Sequence, residues 1–93
     1  MSIVYLKPAG IIDADEGKSL LSRVQAALDS GITGFHLDCS DVHSIDEQEL
    51  GHLLQAFKLI TEAQGRLLIF SINESVHSFL AELGLDLIFE IYP

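Results

Sequence analysis

The sequence predicts an α/β fold: a single domain over residues 1–93, with a parallel or mixed sheet of about four strands and three helices mainly on one face. Three observations carry this expectation. Four short apolar runs, near Ile3–Leu6, Gly34–Cys39, Leu67–Ile72 and Leu87–Tyr92, have the length and bulk of strands. Three stretches between them repeat apolar residues at helical spacing. Strand and helix alternate, which calls for parallel neighbours joined by right-handed crossovers. Three helices are too few for two full layers, so one face of the sheet is expected to stay more open.

Each element has its own warrant. Ile3–Leu6 ends at Pro8, which lacks the N–H that a ladder needs. Ala9 to Ile12 leads to Asp13, and Glu16 three residues on gives the spacing of a capping box. Leu20, Val24, Ala27 and Leu28, flanked by Leu21, form the first helical stripe, and Gly31 suits a left-handed C-terminal position. In the next strand Phe35, Leu37 and Cys39 point one way and His36 and Asp38 the other. Asp46 and Glu49 repeat the capping-box spacing before a second stripe of Leu50, Leu53, Leu54, Phe57 and Ile60, which Gly65 closes. Leu67 to Ile72 reads as a strand buried on both faces. Asn73 is a good N-cap for a third stripe, Val76, Phe79, Leu80 and Leu83, ended by Gly84.

Composition narrows the function. Hydrophobic residues make up 48% of 93, enough for one packed core and too rich for disorder. Fourteen acids against 5 bases give a formal charge of −9, which repels nucleic acid and anionic lipid and suits a basic patch on a partner protein. No apolar run nears the ~20 residues of a membrane span. No secretory signal is visible at the N-terminus, and one cysteine fits a reducing cytoplasm.

The chemistry of catalysis is thin. Neither usual glycine-rich phosphate loop occurs, nor a G-x-S-x-G elbow. His36, His43, His52 and His77 are never four apart, and no Cys-x-x-Cys exists, so no metal site is expected. Cys39 beside His36 or His43 has the makings of a nucleophile, but it falls on the apolar side of its strand, where a free cysteine packs as a small core residue. Asp46 and Glu49 form an acid pair that capping already explains. A cation held jointly by Asp13, Asp46 and Glu49 requires a convergence that the sequence does not specify. No catalytic residue and no cofactor is assigned. The stretch Asp41–Gly51, a short loop from a strand tip into the first turn of a helix, is the natural place for partners to meet the chain.

One pattern runs through nearly the whole chain: Leu37-Asp38-Cys39-Ser40, Val42, Ile45-Asp46, Leu50-Gly51, Leu53-Leu54, Gly65 and Gly84-Leu85, preceded by Gly10 and Asp13. In this order and spacing it resembles the STAS domain of bacterial anti-sigma factor antagonists. The resemblance implies a non-catalytic regulatory module. In that family a Ser-Ser-Gly or Ser-Thr-Gly segment follows Ile-Asp at the start of the second helix. A serine there is phosphorylated by a partner serine kinase that is also the anti-sigma factor; the unphosphorylated form binds the kinase and frees the sigma factor. Phosphate adds about two negative charges at a helix N-terminus and so remakes the docking surface.

This chain departs at that point. Glu47-Gln48-Glu49 follows Asp46, so neither hydroxyl is present and Glu49 takes the glycine position. Either Glu47 imitates a permanently phosphorylated serine or docks a different partner, or Glu47 and Glu49 are simply good first-turn residues and the switch is lost. Ser40 and Ser44 are the nearby hydroxyls. The partner-binding residues expected from the resemblance are Asp41, His43, Ser44, Asp46, Glu47, Gln48, Glu49 and His52. The expected partner is an anti-sigma serine kinase or a related STAS–kinase complex in the bacterial cytoplasm, with a homodimer as a further option through the apolar Ile88, Phe89, Ile91 and Tyr92. The alternative is a constitutive STAS subunit of a larger transport or stress-signalling complex. A response-regulator receiver is excluded by the short chain and by the lack of a lysine at the end of a late strand.

Overall fold

The structure, a computed structural model that describes residues 2–92, has six strands and three helices. In order they are β1 (Ile3–Leu6), β2 (Ala9–Ile12), α1 (Ala14–Asp29), β3 (Gly34–Asp38), β4 (Asp41–Ile45), α2 (Leu50–Glu62), β5 (Arg66–Phe70), α3 (Glu74–Glu82) and β6 (Glu90–Tyr92). Single 3-10 turns occupy Glu47–Glu49 and Leu85–Leu87. The main sheet has the order β1-β3-β5-β6 with every pair parallel. The expected four strands and three helices are therefore present.

One face of that sheet carries the core. Phe35, Leu37, Leu67 and Ile69 are buried there with Leu20, Leu21 and Val24 of α1, Leu53, Ala56, Phe57 and Ile60 of α2, and Val76 and Leu80 of α3. Burying one such large side chain is worth about 1.5–3 kcal/mol, so these layers account for most of the driving force. The second stripe differs from expectation by one position: Ala56 is inside, and Leu54 is 39% exposed. The other face is open. Tyr5, His36, Phe70 and Tyr92 form a row of rings across all four strands, with centroids 5.1, 5.1 and 5.2 Å apart in sequence.

Four expectations need correction. First, β5 is not buried on both faces: Leu67 and Ile69 are buried, but Leu68 and Phe70 are only half-buried, because no helix covers their side. Second, the last strand is shorter than Leu87–Tyr92; Gly84 (φ +74°) turns the chain into a 3-10 turn, and pairing begins at Glu90. Third, Gly65 is not the residue that closes α2, which ends at Glu62 with Ala63 as its C-cap. Gln64 takes the left-handed conformation (φ +58°), while Gly65 admits a close backbone approach: a Cβ there would lie 2.4 Å from the Thr33 carbonyl oxygen.

The fourth concerns two missing strands. Ala9–Ile12 and Asp41–Ile45, expected as a lead-in and a loop, form a parallel two-stranded sheet. It continues the β1–β3 ribbon beyond a break. Ile3 pairs with Gly34, Ala9 with Asp41, and Ile11 with Ser44, so the second strand gains one residue at each interruption. The first interruption is at Pro8, where the ladder lacks a donor. The second is a bulge that leaves His43 unpaired opposite Gly10 (φ +75°), whose missing side chain permits the bend. Four-residue strands interrupted this way are too short for alternation to reveal them.

Candidate partner-binding site at the start of the second helix

β4 delivers the chain to the start of α2. The turn before it is set by Asp38, whose carboxylate accepts from the Ser40 N–H at 2.9 Å. Hydrogen bonds from the Ser40 backbone and then its side chain hold the Asp38 carboxyl below the usual carboxylate range. Next to it, Cys39 is buried, and desolvation, followed by the neighbouring Asp38 charge, pushes its thiol up to about 12. A thiol so held is not a nucleophile at neutral pH.

The ladder runs on past β4, with the Asp46 N–H donating to the Ile12 carbonyl at 3.0 Å. The Asp46 carboxylate then accepts from the Gln48 N–H at 3.0 Å. This replaces the capping box expected between Asp46 and Glu49. Residues 47–49 wind as a 3-10 turn, so α2 opens only at Leu50, and Glu49 at its N-cap makes no side-chain cap. Its carboxylate meets His52 Nδ1 at 3.1 Å instead. Asp13 does cap α1, accepting from the Glu16 N–H at 3.0 Å. Among the described residues no three His, Cys, Asp or Glu side chains are grouped as metal ligands, so Asp13, Asp46 and Glu49 do not converge on a cation.

Packing fixes where this helix start sits. Gly17 of α1 is buried against it: a Cβ at Gly17 would stand 3.2 Å from His52 Cβ and 3.7 Å from the Glu49 carbonyl. From the other side, Asn73 makes three hydrogen bonds. Its Oδ1 accepts from Val76 N–H at 2.8 Å, capping α3, and its Nδ2 donates to the Val42 and His43 carbonyls at 3.1 Å each. Sequence reasoning found the cap and missed the strap to β4, because no local signal marks a partner thirty residues away.

The eight expected residues are thus placed along one continuous segment without forming one cluster. Glu47 and Gln48 stand exposed on the 3-10 turn, and Asp46, Glu49 and His52 are half-buried. His43 is exposed at the bulge, Ser44 is half-buried in the ladder beside Ile11, and Asp41 is exposed 3.7 Å from Lys7. No acid, base and nucleophile converge among them. The solvent-facing part of the segment is acidic, with Asp41 and Glu47 exposed.

No curated protein matches the chain. Solved structures do. A crystal structure from Thermotoga maritima, of a protein assigned as an anti-sigma factor antagonist, is 30% identical over 98% of this chain and 79% of that one, with a TM-score of 0.86. An NMR structure of the same protein aligns with a TM-score of 0.83 at 31% identity, over 97% of this chain and 73% of that one. The anti-sigma factor antagonist SpoIIAA in its unphosphorylated form shares the fold at 12% identity and a TM-score of 0.71, over 98% of this chain and 78% of that one. The family model for the STAS domain matches residues 1–93. With four parallel strands, helices on one face and the Ile45-Asp46 step into α2 all in place, the chain belongs to the STAS domain family.

Proposed function

We propose that this chain is a non-catalytic regulatory module that binds a partner protein through the segment from Asp41 to His52. The observation that carries the proposal is the helix start: Glu47 and Gln48 project into solvent from a turn that holds no hydroxyl. Among anti-sigma factor antagonists, as the resemblance implies, that position carries the phosphorylated serine. Here a fixed carboxylate takes its place, at the helix end where negative charge is favoured by roughly 0.3–1 kcal/mol. Phosphate therefore cannot switch docking at this turn, and the partner must accept a carboxylate where the family presents a serine hydroxyl. The partner is an anti-sigma serine kinase or a related STAS–kinase assembly, in the bacterial cytoplasm, and the role is in control of transcription. Among the described residues no helix is long and apolar enough to cross a membrane.

The fixed charge also supports a second reading, a constitutive subunit of a transport or stress-signalling complex. Affinity capture from the native host separates the two, with the wild type and a Glu47→Ser/Gln48→Ser/Glu49→Gly variant as baits. Capture of a serine kinase by the wild type, with phosphate appearing only on the variant, is the expected result. Equal recovery of one stable large complex by both baits, without phosphate, overturns the first reading in favour of the second.

A further inference from the structure

The ladder between β2 and β4 is complete without His43. Ala9 faces Asp41 and Ile11 faces Ser44 on the outer side, while Gly10 faces Val42 and Ile12 faces Ile45 on the core side. Burial agrees: Ile12 and Val42 are buried and Ile45 packs on the core, whereas Ala9, Ile11 and Asp41 are exposed. With His43 left out, the four pairs alternate in and out without a break, so neither register nor burial calls for it. His43 is one residue more than the strand needs, yet the fold holds it in place. Gly10 bends the facing strand in a left-handed conformation, φ +75°. Asn73 Nδ2, reaching from the start of α3, donates to the His43 carbonyl and to the Val42 carbonyl at 3.1 Å each. A bulge interrupts pairing and re-aims a side chain. The side chain re-aimed here is an imidazole, exposed on the strand that leads into the Glu47 turn.

The surroundings define what that imidazole adds. Asp41 and Glu47 are the exposed carboxylates of the segment. Ionised carboxylates only accept hydrogen bonds, whereas an imidazole keeps at least one N–H to donate. The carboxylates attract a basic surface from a distance, and salt screens that attraction. A hydrogen bond requires one acceptor atom at one place, within about 3.2 Å. Resting on the docking segment proposed above, we propose that His43 is its specificity-determining contact. The bulge turns the ring outward, and a ring N–H donates to a carbonyl or carboxylate oxygen of the partner protein. Asn73 and Gly10 are the positioning residues that fix the bulge.

The test has a folding arm and a binding arm. In the first, His43 is deleted and the full chain is unfolded in urea. The expected midpoint is no lower than that of the wild type, because the deletion leaves a regular ladder. A deletion variant that loses stability or fails to fold overturns the proposal, since the extra residue then serves the ladder. In the binding arm the probe is the serine kinase recovered by the wild-type bait, titrated with single substitutions that keep the bulge. His43→Ala should weaken binding about tenfold, the scale of one lost hydrogen bond. His43→Gln keeps an N–H donor and should stay within about threefold of the wild type. Glu47→Lys separates the two levels of the reading. If Glu47→Lys and His43→Ala both bind as the wild type does, the docking segment itself is wrong, and this inference falls with it. If Glu47→Lys weakens binding and His43→Ala does not, or if His43→Gln is as weak as His43→Ala, this inference alone is overturned.

Discussion

Gly65 shows how little room single positions have here. Its φ is not the constraint; the constraint is the Thr33 carbonyl, 2.4 Å from where a methyl would stand, with Ile60 Cγ2 at 3.1 Å. The Gly65 N–H also donates to the Ile60 carbonyl at 2.8 Å, and the Arg66 N–H to Thr33 at 2.9 Å, so the backbone cannot retreat without losing ladder bonds. Gly65→Ala is expected to cost about 2–3 kcal/mol, the scale of overpacking in a closed site, measured as a lower urea midpoint at unchanged slope. A loss under about 0.5 kcal/mol would show that the Thr33 strand end yields freely. At this scale the sequence was readable where one residue acts on its own backbone: Asp13, Asn73, Gly31 and Gly84 all do what their types suggest. It misled at Asp46 and Glu49. Their spacing fits a capping box, but the 3-10 turn moves Glu49 to the N-cap, where His52 takes its carboxylate.

Among the elements, α3 does more than cover the core. Through Asn73 its first turn fastens β4, and β4 sets the position of the α2 start. Removing the side chain removes a cap worth about 1 kcal/mol and two hydrogen bonds worth about 1 kcal/mol each. Asn73→Ala should therefore lose about 3 kcal/mol in urea unfolding. Asn73→Asp keeps the acceptor for Val76 and loses both donors, so it should lose about 2 kcal/mol and disturb the amides of residues 41–47 more than those of α3. Equal disturbance of both regions would mean that Asn73 is only a cap. The long elements were legible because each helix buries a clear stripe and β3 alternates cleanly. β2 and β4 were not, since their pairing follows from the break at Pro8 and the bulge at His43, which exist only once β1 and β3 are paired.

Across the whole molecule, acid is expected to weaken the fold through two carboxylates on its open side. Glu90 accepts two hydrogen bonds from Arg66, at 2.8 and 2.6 Å, and the guanidinium, first by those bonds and then by its charge, holds the Glu90 carboxyl below its ordinary range, as Ser40 does for Asp38. Both are lowered in the fold relative to the unfolded chain. Their contribution is present in full above the ordinary carboxylate range near pH 4 and is lost as pH falls through the lower folded values. Tm should fall as pH drops below about 4, and Asp38→Asn/Glu90→Gln should flatten that slope; an unchanged slope would assign acid sensitivity to other carboxylates. The fold class and the open face were legible from alternation and helix count, whereas the sequence left a parallel or mixed sheet open and set no strand order, and the proposed partner segment was placed by the family resemblance rather than by the net charge. The all-parallel ladders also bear on how the chain folds. Among the described residues there is no hairpin, and the shortest loop that any strand pair closes runs from Leu68 to Glu90. A parallel pair forms only after its intervening crossover has been gathered in. Helix formation and collapse must therefore precede every sheet contact, which sets the chain among slower folders than its size alone would place it.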